Sequence, residues 1–177
     1  VTFTNAAAIG RYGPTQAQVT AAYDNTTLDD AVTINTQGIQ EWTVPFSGTY
    51  SITTYGAKGG GTSSYSGGKG AKMSGDFNLT QGAVLMIVVG QQGIESGSAA
   101  GGGGGTFVAR KNASGNPTPL IISGGGGGLG GGSSGNNGGD GNDGLTTEAA
   151  GAGDNCTNDG AGVGYGGGDA ASCNQGA

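Results

Sequence analysis

Acid–base catalysis near neutral pH needs a poised proton carrier, and histidine, the commonest one, is absent from all 177 residues. The serines sit in Gly/Ser turns with no base beside them, and the carboxylates are scattered singly through loops. No catalytic residue can be named, and the chain reads as a non-enzyme. Cys156 and Cys173 are the only cysteines. Without histidine they make a poor metal set, so a disulfide is expected, which places the chain in an oxidising, extracellular setting. Two free thiols without a role is the other reading. Gly138–Leu145, GGDGNDGL, fits one copy of the GGxGxDxU calcium repeat, in which carbonyls and Asp oxygens hold the ion. That architecture shares each ion between tandem copies, and one copy in a Gly/Asp-rich stretch is weak, so no metal or cofactor is assigned. GAKGGG resembles a dinucleotide loop only superficially, since no helix follows it. Tyr65 and Tyr165 lie inside glycine blocks and form a candidate recognition surface; packing over a backbone layer is their plainer role.

These residues are positioned by a chain with 44 glycines, 33% hydrophobic and 10% charged residues. Residues 1–123 carry six acids and six bases, which cancel. The net charge of −6 therefore lies in residues 124–177, on Asp140, Asp143, Glu148, Asp154, Asp159 and Asp169. Phosphate binding needs clustered Lys and Arg, so nucleic acid is excluded as a partner. No apolar run approaches the 18 residues of a membrane span; the longest is Ala83–Val89. A chain starting at Val1 without a signal h-region fits either a mature, processed product or a trimmed piece of a longer chain.

In chain order, Val1–Thr4 is β-prone, and PTQAQVTAAY from Pro14 carries the one helix signal, ended by Asp24-Asn25. Ala31–Ile34 reads as a short strand. Trp42, Val44 and Phe46 share one face, Ser47-Gly48 turns the chain, and Tyr50, Ile52 and Thr54 alternate with polar residues, so a hairpin is expected with Pro45 at a strand end. Ala71, Met73, Gly75, Phe77 and Leu79 point inward against Lys72, Ser74, Asp76 and Asn78. AVLMIVVG reads as a strand buried on both faces. Thr106–Lys111 and Leu120–Ser123 pair around NASGNP. Seven or eight short strands predict a mainly β, jelly-roll-like sandwich with one short helix.

Glycine blocks leave the strand ends as insertions, at 59–70, at 97–105 and from 124 onward. Composition alone leaves two readings open: a flexible linker, or extended threefold glycine helices bonded side by side. Each interhelical bond contributes only about 1 kcal/mol net, so many must form together to offset the glycine entropy.

The pieces GRYGPTQAQVTAAY, GIQEWTVPFSGTYSITTYGAKGG, VLMIVVGQQG, GGGGGTFVAR and PLIISGGGGG occur in this order. Together they resemble the glycine-rich extracellular region of the anaplastic lymphoma kinase and leukocyte tyrosine kinase receptors, and related secreted bacterial or phage glycine-rich proteins. The resemblance implies a TNF-like jelly roll with an inserted bundle of polyglycine II helices. It also implies a cysteine pair where this chain has Ala6 and Val19, and further β-strand beyond the glycine region; either more chain follows Ala177 or a sheet edge is left for another chain to complete. The receptors' membrane span and kinase have no counterpart in these residues.

Residues 1–123 are thus expected to form the sandwich, and 124–177 a glycine-rich region packed on it as one unit. The functional expectation is an extracellular structural protein, secreted or at a cell surface, whose copies associate into a fibre or layer without membrane insertion. The alternative is an adhesin or ligand-binding ectodomain for a cell-surface glycan or protein.

Overall fold

A computed structural model describes residues 1–62, 65–94, 100–128 and 143–146. Within them the chain is mainly β, with one helix, α1 (Gln16–Tyr23), and strands β1 (Val32–Thr36), β2 (Ile39–Thr43), β3 (Gly48–Tyr55), β4 (Lys72–Leu79), β5 (Val84–Val88), β6 (Thr106–Lys111) and β7 (Pro117–Ser123). A five-stranded antiparallel sheet runs β1-β2-β5-β6-β7, and β3 pairs with β4 in a second, two-stranded sheet packed against β6 and β7.

Helix α1 starts where Thr15 and Gln18 form a capping box: the Thr15 hydroxyl accepts from Gln18 N, and the Gln18 side chain accepts from Thr15 N. Val19 and Tyr23, four residues apart, bury on its inner face. Gln16 reaches the outer edge of β1, donating to Val32 O at 3.1 Å and accepting from Ile34 N at 2.7 Å. The helix thereby covers an edge that would otherwise offer free ladder groups.

One core lies between the sheets. Trp42, Val44, Leu85, Ile87, Val108 and Ile121 meet Leu79, with Tyr50, Ile52, Met73 and Phe77 from the smaller sheet. Ala6 and Val19 are both buried in it. Gln40 is fully buried yet satisfied: Tyr23 Oη donates to its Oε1 at 2.6 Å, and its Nε2 donates to Thr4 O at 2.8 Å. Buried amides of this kind are costly unless paired, so the network ties the amino-terminal segment to α1 and β2.

Four sequence expectations need correction. Val1–Thr4 docks by the Thr4 bonds and by Phe3, edge-on to Tyr23 and Trp42, but joins no strand. Residues 39–55 are not a hairpin: β2 pairs with β1 and β5, whereas β3 crosses to the other sheet and pairs with β4. Phe46 sits on that crossing and is 72% exposed rather than sharing the inward face of Trp42 and Val44. Strand β5 lies centrally, but only Leu85 and Ile87 are buried; Val84, Met86 and Val88 on its other face are half-covered. The inward alternation of β4 and the β6–β7 pairing match expectation, with β7 starting earlier, at Pro117.

Register places Tyr55 opposite Lys72, Val88 opposite Phe107 and Thr106 opposite Ser123. Each glycine-rich connection therefore leaves or re-enters at one of these strand ends. Beyond them, segments 56–61, 67–71, 90–94, 100–105 and 124–128 bond to one another through backbone alone. Gly56 N donates to Ala71 O and Gly59 N to Gly68 O; Ala57 N donates to Gly104 O and Gly60 N to Gly101 O. Gly68 N donates to Gly127 O and Ala71 N to Gly124 O; Gly101 N donates to Ile94 O and Gly104 N to Gln91 O. In every pair the donor climbs three residues while the acceptor falls by three, so neighbours run antiparallel with a period of three rather than the two of a β-strand.

Sterics exclude a side chain at many of these positions, three residues apart in the pairs Gly56/Gly59, Gly67/Gly70 and Gly90/Gly93. An ideal Cβ at Gly56, Gly59, Gly67, Gly70, Gly90, Gly93, Gly103, Gly125, Gly126 or Gly128 would lie 1.8–2.1 Å from a neighbouring carbonyl oxygen. None of these residues has a positive φ. Glycine is needed there for the missing Cβ, not for its backbone freedom. Gly126 meets three neighbouring segments: Gly103 N donates to its carbonyl, its N–H donates to Ala57 O, and its Cβ would strike Gly68 O.

Thr106 joins this region to both sheets. Its buried hydroxyl donates to Tyr55 O at 2.7 Å and accepts from Gly90 N at 3.0 Å. Thr106→Val keeps the shape but leaves the part-buried Tyr55 carbonyl and Gly90 N–H without this partner; a loss of about 1 kcal/mol is expected in chemical denaturation. Two alanine substitutions separate close packing from mere composition. Gly126→Ala is expected to cost at least about 2 kcal/mol, because the inserted methyl group displaces backbone. Gly124→Ala, whose Cβ meets nothing within 4 Å, is expected to be neutral or stabilising by up to about 1 kcal/mol through the unfolded chain. Melting of the two variants beside the unaltered protein checks both signs.

Candidate functional site

The described residues hold no group of three or more His, Cys, Asp or Glu side chains able to bind a metal. Cys156, Cys173 and Tyr165 lie outside the described residues, as do Asp140 and most of the calcium-like motif. Its last three positions, Asp143 to Leu145, are described. Asp143 Oδ1 accepts from Lys69 N at 2.6 Å, and Gly144 N donates to Lys69 O at 2.7 Å. That carboxylate therefore caps a glycine segment. Tyr65 is 38% exposed on a turn in which Thr62 N donates to Tyr65 O and Tyr65 N donates to the Thr62 hydroxyl. It is not among the residues that line the groove described next.

That surface was not singled out in the sequence. On the outer face of the five-stranded sheet, Val88, Phe107 and Ile122 stand directly opposite one another across β5, β6 and β7. Phe107 is 44% and Ile122 46% exposed. The row ends against a groove of about 600 Å³ with the Arg11–Gly13 loop and Gly38 on one side and glycine segments 90–94 and 101–105 on the other. Tyr12 and Ile94, the latter 70% exposed, add apolar surface at its rim. Arg11 is the one charged side chain lining it among the described residues, held over the Tyr12 ring at 4.7 Å.

Local sequence explains the shape. Gln37-Gly38 forms the two-residue turn between β1 and β2, with Gly38 at φ +86°. A Cβ there would lie 2.5 Å from Tyr12 O, so glycine lets the Tyr12 loop close against the hairpin. The signals present in the sequence were Arg11-Tyr12 and the outward Phe107, but nothing in their spacing says that they converge.

The opposite outer face, on β3 and β4, is polar. Thr49 donates to Asn78, Ser51 donates to Asp76, and the Thr53 and Ser74 hydroxyls bond each other. Lys72 Nζ lies 5.5 Å from the centre of the Tyr55 ring. This satisfied ladder is the chemistry of a solvated strand face. No described helix is long and apolar enough to cross a membrane.

No known protein-family model matches the chain. Over 97 residues it is 40% identical to the leukocyte tyrosine kinase receptor of Mus musculus, an alignment that covers 51% of this chain and 11% of the receptor. The chain thus corresponds to a small fraction of that relative's length. Over the aligned part it is related to that receptor family.

Proposed function

We propose that this chain is a non-catalytic extracellular structural unit, secreted or displayed at a cell surface, whose copies associate into a fibre or layer. In this reading residues 1–123 form a jelly-roll-like sandwich that carries glycine-rich insertions. Residues 124–177 continue them as one structural unit, and the glycine segments are polyglycine II helices. The three-residue advance of their hydrogen bonds supports that conformation, because an extended threefold helix repeats every three residues and leaves its N–H and C=O groups for neighbours.

The observation that carries the self-association reading is the apolar row Val88–Phe107–Ile122, continuous with Tyr12 and Ile94. Contiguous exposed apolar surface on a rigid sheet marks a contact site, since leaving it in water forgoes about 25 cal/mol per Å² of possible burial. Relation to a receptor supports the extracellular setting and favours a second reading, a recognition ectodomain for a protein or glycan, with Tyr65 and Tyr165 as anchors.

Two measurements separate them. Sedimentation and negative-stain microscopy across a concentration series are expected to show regular polymers, weakened by Phe107→Ser; a monomer at high concentration contradicts the structural reading. Saturable binding to a glycan or protein ligand, lost in Tyr65→Ala while the protein stays monomeric, would establish the second reading in its place.

A further inference from the structure

Among the described residues, most exposed aromatic rings have a local place. Tyr12 and Phe107 line the groove, Tyr55 has Lys72 over its ring, and Tyr65 closes its own turn. Phe46 stands outside all of these, 72% exposed on the crossing between the two sheets. The backbone that carries it is held on both sides. Val44 N donates to Ala83 O at 2.8 Å, the Tyr50 hydroxyl donates to Phe46 O at 2.8 Å, and Ser47 Oγ accepts from Gln81 N at 2.9 Å. Pro45 fixes its own φ just before it. The phenyl ring is thus presented to solvent from a fixed backbone.

Strand β2 starts at Ile39, beside the Gln37-Gly38 turn that lines the groove, and ends at Thr43, with Phe46 three residues beyond. At about 3.3 Å per residue the ring stands about 20 Å from the groove, at the other end of the strands. Charge differs between the two ends in the same sense. Arg11 is the charged side chain lining the groove, whereas exposed Asp29 and Asp30 precede Val32, which pairs with Trp42 toward the Phe46 end of β2. Lys111 at that end is paired with Glu41, which leaves Arg110 as its base without an ion pair among the described residues.

We propose that Phe46 of one copy seats in the groove of the next, so that copies stack head to tail along the strand direction. This deepens the self-association reading and rests on it. Val88, Val89 and Phe107 give the groove an apolar floor, and the Phe107 and Tyr12 rings are partners against which a phenyl ring packs. A ring at one end and its receptor at the other make a heterologous contact, which repeats without closing and builds an open polymer. One face meeting its own copy would close a dimer instead. The same stacking sets Asp29 and Asp30 of one copy at the end that meets Arg11 of the next.

The test uses the full chain, unaltered and as Phe46→Ser and Phe107→Ser, in sedimentation across a concentration series. Phe46→Ser is expected to melt like the unaltered chain when dilute and to raise the concentration needed for assembly about tenfold or more. Phe46→Ser keeps the groove and Phe107→Ser keeps the ring. A mixture of the two is therefore expected to form pairs, one copy of each, at concentrations where neither variant associates alone, and to stop there. Normal assembly of Phe46→Ser overturns this contact while leaving self-association intact. Absence of the mixed pair overturns the head-to-tail arrangement. A lowered melting temperature of dilute Phe46→Ser means that the ring packs within its own molecule, and overturns its role between copies. If the unaltered chain does not assemble, the contact and the structural reading fall together.

Discussion

Direct contact between backbones, without a Cβ between them, is the interaction on which the structure depends. A side-chain core gains stability by burying apolar surface, and among the described residues that core lies between the two sheets and under α1. Beyond the strand ends the stabilising element is a set of peptide bonds facing peptide bonds. Ordering a residue's backbone costs about 1–2 kcal/mol, while each new hydrogen bond returns about 1 kcal/mol net, so such a bundle is marginal if its segments must also find one another. The strands supply that registration. Tyr55, Lys72, Val88, Thr106 and Ser123 deliver the glycine segments at fixed positions, and Thr106 ties the first bonded turn to both sheets.

Much of the β framework was legible in the sequence because a half-buried strand writes its face in alternate residues. Met73, Phe77 and Leu79 announce β4, and the Pro14–Tyr23 stretch announces α1. Alternation names a face but not a partner. Strands β2 and β3 alternate equally well as a hairpin or as members of different sheets, and Pro45 marks a break without saying where the chain goes next. The inward Thr4 carbonyl and the buried Gln40 amide likewise have no sequence signature, because both look like surface chemistry until paired.

The glycine segments carried a readable signal of another kind. GAKG at 56–59, GGKG at 67–70 and GQQG at 90–93 keep glycine three residues apart while admitting Ala, Lys and Gln between. Those outer glycines are the positions with no room for a Cβ. The five-glycine runs at 101–105 and 124–128 show no such spacing, since glycine at every position cannot show which of them are obligatory. The apolar outer surface was the least legible part: Tyr12, Val88, Ile94, Phe107 and Ile122 are ordinary apolar residues whose adjacency is created by sheet order and by the closing of the Gly38 turn.

Amide hydrogen exchange on the dilute monomer tests the close-packed backbone most directly. The account predicts that the amides of Ala57, Gly60, Gly68, Ala71, Gly103 and Gly126, each bonded across segments, exchange as slowly as the core amides of β5 and β6. Exchange of these amides at the rates of an unfolded chain, with β5 and β6 still protected, would contradict it.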